Sequence, residues 1–444
     1  MADTSALLVV GEVFVDVALS GQGASKMRLG GIVHAARGLW ASGVDYALAA
    51  VCPRYLLEEL RDYVLAHGCT ELVWLGEVLG SPNVVVIGDA REVASQGYED
   101  LLRDKRQAVL HECTAELAKY ADILVFPGSY SLAAMRAAFG ATVPTFDFDA
   151  AYDVNEWGEL SEFRGQLRTI IISTSSPLFL REAALDVECL LREVRQLGAS
   201  WLLLKENRGG SRLFEIATGT VESVPAQLGS TTNSVGVGDA YSAVLSGLSK
   251  AVGVVEAAWR GAQVATRYAQ TTYPDDLRRD VQRDARLSLD TMRALWGTFL
   301  PWHARVAKSI YLAAPDFTYI AKPEIDKVVD SLSYHNFRLR RPVQEVGELP
   351  RDASLEVRRS AYARDVALLE ECSVVFAVPL DRDPGTLVEV GMALAMDKPV
   401  VIFDPRRENN NTMVVAGAIT YSEDLDECLN GLFIALGQQS PYTA

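Results

Sequence analysis

Short apolar segments rich in β-branched residues alternate with stretches of helical periodicity along most of this 444-residue chain. Between residue 7 and about residue 270, the segments with strand character are residues 7–10, 84–87, 123–126, 169–172 and 201–205. Helical spacing lies between them, for example over residues 32–42 and 182–197. This alternation predicts a parallel β-sheet covered by helices on both faces, because parallel neighbours need crossover connections.

The pattern changes after Tyr273-Pro274, where residues 276–308 mix opposite charges and carry Trp296 and Trp302 at helical spacing. We interpret this stretch as a helical connector. A second alternation follows, with strands predicted over 309–313, 373–378 and 399–403 and helices over 323–332, 357–370, 386–396 and 424–436. The sequence thus predicts an α/β domain over residues 1–275, a connector over 276–308 and a smaller parallel-sheet α/β domain over 309–444.

The charge balance limits the partners. The chain has 42 Lys and Arg against 58 Asp and Glu, a net charge of −16, so no basic surface for nucleic acid or anionic membrane is expected. The six cysteines contain no Cys-x-x-Cys pair, and the five histidines show no metal-ligand spacing. No apolar run reaches membrane-span length, and the first residues lack a signal-peptide pattern. We therefore expect a soluble cytoplasmic protein whose partner is a small molecule or another protein.

Two carboxylates lie in the segment Asp383-Pro384-Gly385-Thr386-Leu387-Val388-Glu389. Asp383 precedes a glycine turn, and Glu389 is expected in the first turn of the apolar helix that follows. A carboxylate among apolar side chains is costly to bury unless it is paired or used, which makes Glu389 a candidate nucleophile. The alternative is a capping box, in which Thr386 caps the helix and Glu389 reaches back to the backbone N–H of the cap. The spacing alone favours the capping box.

Other polar residues of the second domain occur in an order that favours the nucleophile. They are Tyr311 in the opening strand, Asp365 in a helix, Asp383 and Glu389 around the turn, and Asn411 and Met413 after the last strand. With this order, and with Gly385-Thr386 inside the six-residue step from Asp383 to Glu389, the chain from Ile310 onward resembles the nucleoside 2-deoxyribosyltransferase family.

The resemblance implies a role for each acid. Glu389 would attack the anomeric carbon of a nucleoside, deoxynucleoside or nucleotide, expel the base and form a glycosyl-enzyme ester, while Tyr311 holds its carboxylate. Asp365 and Asp383 would contact the sugar hydroxyls and protonate the leaving base. Two carboxylates with well-separated pKa values can supply the anion and the proton donor that an oxocarbenium-like transition state needs. No cofactor is expected for this domain.

Two further features concern the oligomeric state and the substrate. By the resemblance, Asn411 and Met413 would reach into the pocket of a neighbouring subunit, which predicts a homo-oligomer. Arg338, Arg340 and Arg341 make the loop over residues 334–355 basic. These arginines could bind a phosphate, which would indicate a nucleotide substrate, or they could form a solvated face, which the sequence alone favours.

A glycine turn, Gly236-Val237-Gly238-Asp239, opens a predicted helix in the first domain. Backbone N–H groups at a helix N-terminus bind anions, and Asp239 is placed to act as a base. An acid in a first helical turn is also favourable for the helix dipole alone. The sequence therefore predicts an anion site at Gly236, Val237 and Gly238 and leaves two interpretations of Asp239.

The glycine pair Gly30-Gly31 and the acid Asp16 lie near the start of the chain. Together with the glycine turn at 236–239, they resemble the ribokinase-like carbohydrate and nucleoside kinase family over about residues 7–275. The resemblance implies that Asp239 deprotonates an acceptor hydroxyl, that Asp16 and the glycine pair line the sugar site, and that Gly210 lies in the loop over the nucleotide base. It also implies ATP and Mg²⁺ for this domain, with no protein ligand assigned to the metal.

The first domain departs from that family at several positions. His34 stands where the helix after the glycine pair usually carries Asn, and the segment Ser173-Thr174-Ser175-Ser176-Pro177 lacks the Glu that relatives use near metal and phosphate. Asn233 and Asn207 replace an acid and a glycine of the family pattern. These departures leave two readings open, an active kinase and a kinase-derived domain that only binds a nucleoside or sugar.

The expected architecture is a ribokinase-like three-layer α/β domain followed by a flavodoxin-like or Rossmann-like α/β domain. The expected function is bifunctional: N-glycosidic bond cleavage or base exchange in the second domain, and ATP-dependent phosphorylation of a sugar or nucleoside in the first. One alternative is a sensor or assembly module whose kinase-like domain binds a nucleotide or nucleoside without turning it over. Another is a kinase whose second domain serves only oligomerisation.

Overall fold

The two alternating stretches fold into two units, which a computed structural model describes over residues 6–19, 26–102, 106–151, 154–319, 321–350 and 352–437. The first unit comprises residues 1–92, 96–227 and 231–299, and the second comprises residues 93–95, 228–230 and 300–444. The boundary at residues 299 and 300 falls inside the stretch interpreted as a connector. Short helices occupy that stretch, and each belongs to one of the two units.

The first unit is built on two sheets. Its strands are β1 Leu7–Glu12, β2 Val15–Ala18, β3 Lys26–Leu29, β4 Tyr46–Val51, β5 Cys69–Leu79, β6 Val84–Ile87, β7 Tyr98–Asp100, β8 Gln107–Leu110, β9 Asp122–Val125, β10 Thr145–Asp149, β11 Leu167–Ser173, β12 Trp201–Lys205, β13 Ser211–Glu215 and β14 Val221–Val224. The larger sheet has the order β14-β13-β12-β11-β10-β9-β1-β4-β5-β8, and its strands from β12 to β5 run parallel. The smaller sheet has the order β3-β2-β6-β7.

The helices of the first unit pack on both faces of the larger sheet and on one another. They are α1 Ile32–Ser42, α2 Leu57–Ala66, α3 Thr114–Leu117, α4 Leu132–Ala138, α5 Pro177–Glu182, α6 Val187–Leu197, α7 Val237–Val252, α8 Val254–Gln270, α9 Pro274–Asp284 and α10 Leu289–Leu295. On β10, Phe146 and Phe148 pack against Phe163, whereas Asp149 faces Ser242 of α7. Side chains alternate along a strand, so these contacts lie on opposite faces and make three layers.

One helix of the first unit differs from the prediction. The periodicity predicted a single helix over residues 182–197, but α5 ends at Glu182 and α6 begins at Val187. Asp186 causes the break, because its side chain accepts a hydrogen bond from the backbone N–H of Glu188 and caps a new helix.

The second unit carries an all-parallel sheet with the order β16-β15-β17-β18-β19. Its strands are β15 Ser309–Ala313, β16 Arg338–Arg340, β17 Val374–Ala377, β18 Val400–Phe403 and β19 Thr420–Ser422. Its helices are α11 Trp302–Arg305, α12 Pro323–Tyr334, α13 Pro342–Val346, α14 Leu355–Glu371, α15 Pro384–Ala395, α16 Thr412–Val415 and α17 Leu425–Leu436. Read in chain order this is 2-1-3-4-5, the flavodoxin-like arrangement, which confirms the predicted class.

The strand order of the second unit locates a ligand crevice. In such sheets a ligand binds outside the carboxyl ends of the strands, where the strand order reverses, which here lies between β15 and β17. Apart from Ser309 and Tyr311, the residues of both strands are apolar and buried, so the other polar groups at this edge come from the neighbouring loops and helices. Within the described ranges, no helix is long and apolar enough to cross a membrane.

Candidate active sites

The helix that carries Glu389 begins two residues earlier than predicted. It starts at Pro384, whose ring fixes φ and lacks an N–H that a first helical residue does not need. Asp383 is the cap: its Oδ2 accepts hydrogen bonds from the backbone N–H of Thr386 at 2.8 Å and from Thr386 Oγ1 at 3.0 Å. The expected capping box between Thr386 and Glu389 is therefore wrong. Glu389 lies in the second turn, and its carboxylate takes no part in capping.

The carboxylate of Glu389 is held from the sheet instead. Its Oε1 accepts a hydrogen bond of 2.6 Å from the hydroxyl of Tyr311, a fully buried residue of β15. The other oxygen, Oε2, accepts no hydrogen bond from the residues that the structure describes. One oxygen is thus fixed by a rigid strand and the other is available to a ligand.

Burial sets the proton affinity of Glu389. Removal from water raises the pKa of its carboxyl to about 7, the Tyr311 hydrogen bond opposes this rise, and the charges of Asp365 and Asp383 add to it. The pKa of Tyr311 is raised by its own burial and by the charge of Glu389, so its hydroxyl stays protonated as the donor. Near neutral pH, Glu389 therefore exists both as an acid and as an anion.

Asp365 is the second acid of this site. It lies half-buried on α14, and its buried Oδ1 has no hydrogen-bond donor among the described residues. Burial raises the pKa of this carboxyl, and the neighbouring Arg364 opposes the rise. The charge of Asp365 thus raises the pKa of both Glu389 and Tyr311. Asp383 also raises the pKa of Glu389 through its charge, from its position as the cap of α15.

Asn411 and Met413 lie away from these contacts. The side chain of Asn411 caps α16 by accepting a hydrogen bond of 2.9 Å from the backbone N–H of Met413. The Met413 side chain is 78% exposed, so a long apolar group points into solvent. Within the described part of the chain, neither residue hydrogen-bonds to Tyr311, Glu389 or Asp365.

Two of the three arginines in the basic loop are paired with carboxylates. Arg340 bonds to Glu345 and Glu371, with N–O distances from 2.8 to 3.0 Å. Arg341 donates two hydrogen bonds to the buried carboxylate of Asp316, from Nε at 2.7 Å and from Nη2 at 2.9 Å. Lys322 forms an ion pair with the same carboxylate. The sequence did not single out Asp316, although Pro315-Asp316 directly follows β15. These pairings argue against both predicted readings, a phosphate site and a solvated face, for Arg340 and Arg341.

In the first unit, the N-terminus of α7 offers unpaired donors. Gly236 is its N-cap with φ 80°, and no side chain caps the helix. The backbone N–H groups of Gly236, Gly238 and Asp239 donate no hydrogen bond within the described residues, whereas Val237 donates to the carbonyl of Ser234. Gly236 cannot be replaced easily, because a Cβ there would collide with the His34 ring. The geometry suits an anion.

Asp239 lies in the first turn of α7, at the same helix N-terminus as these donors. It makes no hydrogen bond to any described side chain and is partly exposed. Withdrawal from water raises its pKa to about 7; the charge of Asp149 adds to this, Lys205 opposes it, and Asp16 adds to it. A carboxyl with this proton affinity suits general base chemistry near neutral pH. Favourable interaction with the helix dipole remains a second role for the same residue.

Near Asp239 lies a buried cluster of polar residues that the sequence analysis did not predict. The ammonium group of Lys205 donates to Asp149 Oδ2 at 2.7 Å, to Ser242 Oγ at 3.1 Å and to the carbonyl of Gly238 at 3.3 Å. Ser242 also donates to Asp149 Oδ2 at 2.6 Å. The sequence offered one signal, which is position: Lys205 and Asp149 are each the last residue of a mostly buried strand, at the carboxyl edge of a parallel sheet.

Asp16 is engaged by His34, the residue that departs from the family pattern. His34 Nε2 lies 2.8 Å from Asp16 Oδ2, while His34 Nδ1 faces the Tyr268 hydroxyl at 2.7 Å and Arg37 Nη1 at 3.1 Å. A guanidinium can only donate, so Nδ1 is the acceptor and Nε2–H donates to Asp16. Burial lowers the pKa of His34 to about 4, which keeps it neutral. Asp16 therefore accepts through Oδ2, and its Oδ1 accepts no hydrogen bond from the described residues.

The remaining predicted glycines occupy close approaches. A Cβ at Gly30 would collide with the carboxylate of Asp16, and one at Gly31, the N-cap of α1 with φ 60°, would collide with the carbonyl of Glu12. Gly210 has φ 89° in the turn between β12 and β13, where a Cβ would press on the carbonyl of Val224. Gly30 and Asp16 are thus brought together, and Gly210 forms a tight turn.

Both units are similar to known proteins. Residues 310–428 match the family model for nucleoside 2-deoxyribosyltransferase. The C-terminal unit resembles that family. A fructokinase with bound ATP from Xylella fastidiosa matches 64% of this chain and 100% of its own, at 13% identity and a TM-score of 0.50. A ribokinase from Thermotoga maritima (14% identity, TM-score 0.47) and one from Arabidopsis thaliana complexed with ribose and ATP (13%, 0.46) each match 64% of this chain and 99% of theirs. No curated protein sequence matches significantly.

These matches confirm both predicted resemblances. The fructokinase match shows that the N-terminal unit has the ribokinase-like fold, and the family model covers the nucleoside 2-deoxyribosyltransferase-like unit from β15 to α17. Tyr311, Asp365, Asp383 and Glu389 all fall inside the matched range. At such low identity the fold likeness carries no catalytic role to Asp239, whose role rests on the geometry above.

Proposed function

We propose that this chain is a bifunctional enzyme of nucleoside and sugar metabolism, with N-glycosidic bond cleavage or base exchange in its C-terminal unit. The observation that carries this proposal is the 2.6 Å hydrogen bond from the buried Tyr311 hydroxyl to Glu389, inside a range that matches the nucleoside 2-deoxyribosyltransferase family model. A carboxylate fixed from one side, with its other oxygen free, is arranged for attack on carbon.

The reaction proceeds in two displacements. Glu389 Oε2 attacks the anomeric carbon, the C–N bond breaks, and its electron pair leaves with the base. Asp365 in its protonated form gives the departing nitrogen a proton, which the raised pKa of that carboxyl favours. A second base, or water, then attacks the anomeric carbon and gives its proton to the Asp365 carboxylate while the ester bond breaks, which returns Glu389 as a carboxylate and Asp365 as an acid. Tyr311 stabilises that carboxylate as it is released.

The assay that tests this proposal incubates the protein with each common 2′-deoxynucleoside, its 5′-monophosphate and a different free base, followed by chromatography. We expect release of free base, or appearance of the exchanged nucleoside, with at least one substrate. Absence of both reactions across the whole set would refute the proposed function of the C-terminal unit. The choice of base, the sugar, and the balance of transfer against hydrolysis are read from the same chromatograms.

The activity should depend on pH through Glu389. The attacking form is the anion, so with a pKa of about 7 the rate of base release falls as the pH drops through 7. Tyr311→Phe removes the hydrogen bond that holds this pKa down, and we expect the acid limb of the kcat profile to move up by roughly one pH unit. Profiles between pH 5 and 9 measure this shift.

A matched variant controls for the loss of a tyrosine–carboxylate hydrogen bond. Tyr421 donates to Asp404 Oδ2 at 2.7 Å in the same unit and makes no hydrogen bond to Glu389 or Tyr311. Tyr421→Phe should leave the acid limb in place. An unmoved limb in Tyr311→Phe, or an equal movement in both variants, would contradict the role given to Tyr311.

The proposal includes assembly with further copies of the chain. Exposed apolar side chains lie on α15 and in the segment after β18, namely Val388 (56% exposed), Met413 (78%) and Ile419 (52%). Such side chains are unfavourable in water and favourable in an interface. Together with the position of Asn411 and Met413 in the family pattern, they support a homo-oligomer.

For the N-terminal unit we propose phosphorylation of a sugar or nucleoside hydroxyl. Asp239 takes the hydroxyl proton, the oxygen attacks the terminal phosphorus of ATP, and the bond to the leaving diphosphate breaks. The free N–H groups of Gly236, Gly238 and Asp239 would hold the transferring phosphoryl group. These donors fit a phosphate. Mg²⁺ would supply charge neutralisation with the bound nucleotide; among the described residues, no group of three or more His, Cys, Asp or Glu is arranged to hold a metal.

A further inference from the structure

A cavity of about 260 Å³ in the N-terminal unit has one wall made by the smaller sheet. In that sheet Asp16 of β2 pairs directly with Arg28 of β3, and Ala18 pairs with Lys26. Paired residues, and residues two apart on one strand, point to the same face. All four side chains line the cavity, and the small Ala18 leaves space beside the charged groups.

The charges on this wall are held apart. Asp16 and Arg28 are direct cross-strand neighbours, yet no ion pair joins them: Asp16 Oδ2 accepts from His34, and Arg28 Nη2 donates to Asn233 Oδ1 at 3.0 Å and to the carbonyl of Val235 at 2.7 Å. Asn233 and Val235 also line the cavity. The guanidinium is thus anchored at one nitrogen only.

Several polar groups remain for a ligand. Within the described residues, Arg28 Nε and Nη1, the ammonium of Lys26 and Asp16 Oδ1 make no hydrogen bond. With His34 neutral, this wall carries two basic side chains and one acidic side chain. The rest of the cavity includes apolar Ile87 and Val235, which provide no counter-ion.

A ligand that satisfies this wall has two kinds of group. Hydroxyls donate to Asp16 Oδ1, and an anionic group accepts from Arg28 and Lys26, the guanidinium being suited to phosphate or carboxylate through paired N–H donors. A neutral sugar would leave the partly buried guanidinium of Arg28 without an anion beside apolar surface, which is unfavourable. The cavity lies just below the roughly 300–1,000 Å³ range of pockets for drug-sized ligands, so it suits a single sugar ring.

We infer that this cavity binds a monosaccharide that carries an anionic group, a phosphate or a carboxylate, in preference to a neutral sugar or nucleoside. The inference rests on the proposed sugar site of the N-terminal unit and names its substrate class. It places the unit after a reaction that releases a charged sugar, such as removal of the base from a nucleotide.

Titration calorimetry on the full chain tests this inference with four probes: 2-deoxyribose, 2-deoxyribose 5-phosphate, ribose 5-phosphate and D-gluconate. We expect at least one charged probe to bind about 10-fold or more tightly than 2-deoxyribose. Comparison of the sugar phosphates with gluconate then shows whether the site prefers a phosphate or a carboxylate. Arg28→Met should remove most of that preference, measured as the ratio of the Kd values for 2-deoxyribose and for the charged probe. Asp16→Asn should weaken every probe that binds.

Two further variants make the result decisive. Lys26→Met removes the charge of an exposed side chain that makes no hydrogen bond within the described residues, so this variant is expected to fold even if Arg28→Met does not. It should also reduce the preference for charged sugars over 2-deoxyribose. Arg61→Met, on the exposed face of α2, is the matched control and should change nothing. Equal binding of neutral and charged sugars, or no binding of any charged probe, would overturn the inference. Tight binding of a sugar phosphate without ATP-dependent turnover would instead refute the kinase proposal and leave this inference standing.

Discussion

Replacing Glu389 with Gln is expected to lower the rate of base release or exchange by about 10⁴-fold or more, because an amide cannot form the glycosyl ester. The substitution preserves side-chain volume, and the amide oxygen can still accept from the Tyr311 hydroxyl. Chromatographic assays at saturating nucleoside measure the loss. In addition, mass spectrometry of acid-quenched wild-type protein should find one glycosyl group bound to the chain, which the variant lacks.

Stability measurements separate this effect from misfolding. Burial raises the pKa of Glu389, so its ionised form destabilises the folded chain, and the cost grows as the pH rises from the ordinary value of the carboxyl to about 7. Glu389→Gln should therefore raise the melting temperature at pH 8 and leave it nearly unchanged at pH 4. Glu356→Gln, in the exposed first turn of α14, should change neither activity nor stability. Full activity in Glu389→Gln, or an equal loss in Glu356→Gln, would exclude Glu389 as the nucleophile.

The fold was largely predictable because its signals are local. Strand and helix periodicity depends on a few neighbouring residues, and the alternation of the two leads directly to parallel sheets. The errors were also local. Pro384 moved the start of α15 and gave the cap to Asp383, and Asp186 divided one predicted helix into two. In each case a capping side chain overrode a periodic apolar pattern, which continues through a helix boundary unchanged.

The sites were less predictable because they depend on contacts across long stretches of sequence. The pairing of Tyr311 with Glu389 came from a family resemblance, since nothing in residues 78 positions apart specifies a hydrogen bond. His34 was noted as a departure, but its contact with Tyr268, 234 positions away, is set by the packing of α1 against α8. The Lys205 cluster joins two strands and one helix in the same way. Only the closed fold determines which polar side chains meet.

Replacing Asp239 with Asn is expected to reduce ATP-dependent phosphorylation by about 10³-fold in kcat, within the range for loss of a general base. Asparagine keeps the size of the side chain but cannot take the hydroxyl proton. Nucleotide affinity should stay within a few-fold, because the backbone N–H groups of Gly236 and Gly238 do not depend on this carboxyl. Coupled ADP detection gives kcat, and calorimetry gives the affinity for ATP.

The control addresses the other interpretation of this residue, an acid that merely favours the helix dipole. Asp290 lies in the first turn of α10, is exposed, and is distant in sequence from the donors of α7. If Asp239 served only the dipole, Asp239→Asn and Asp290→Asn would each cost a few tenths of a kcal/mol up to about 1 kcal/mol of stability and neither would affect turnover. Loss of turnover in Asp239→Asn alone supports the base. Tight ATP binding with no ADP formed by the wild type would exclude a kinase and favour the sensor. In that case the affinity for ATP, rather than turnover, should change across neutral pH. The reason is that the carboxyl of Asp239 has a pKa of about 7, and its ionised form repels the bound phosphates.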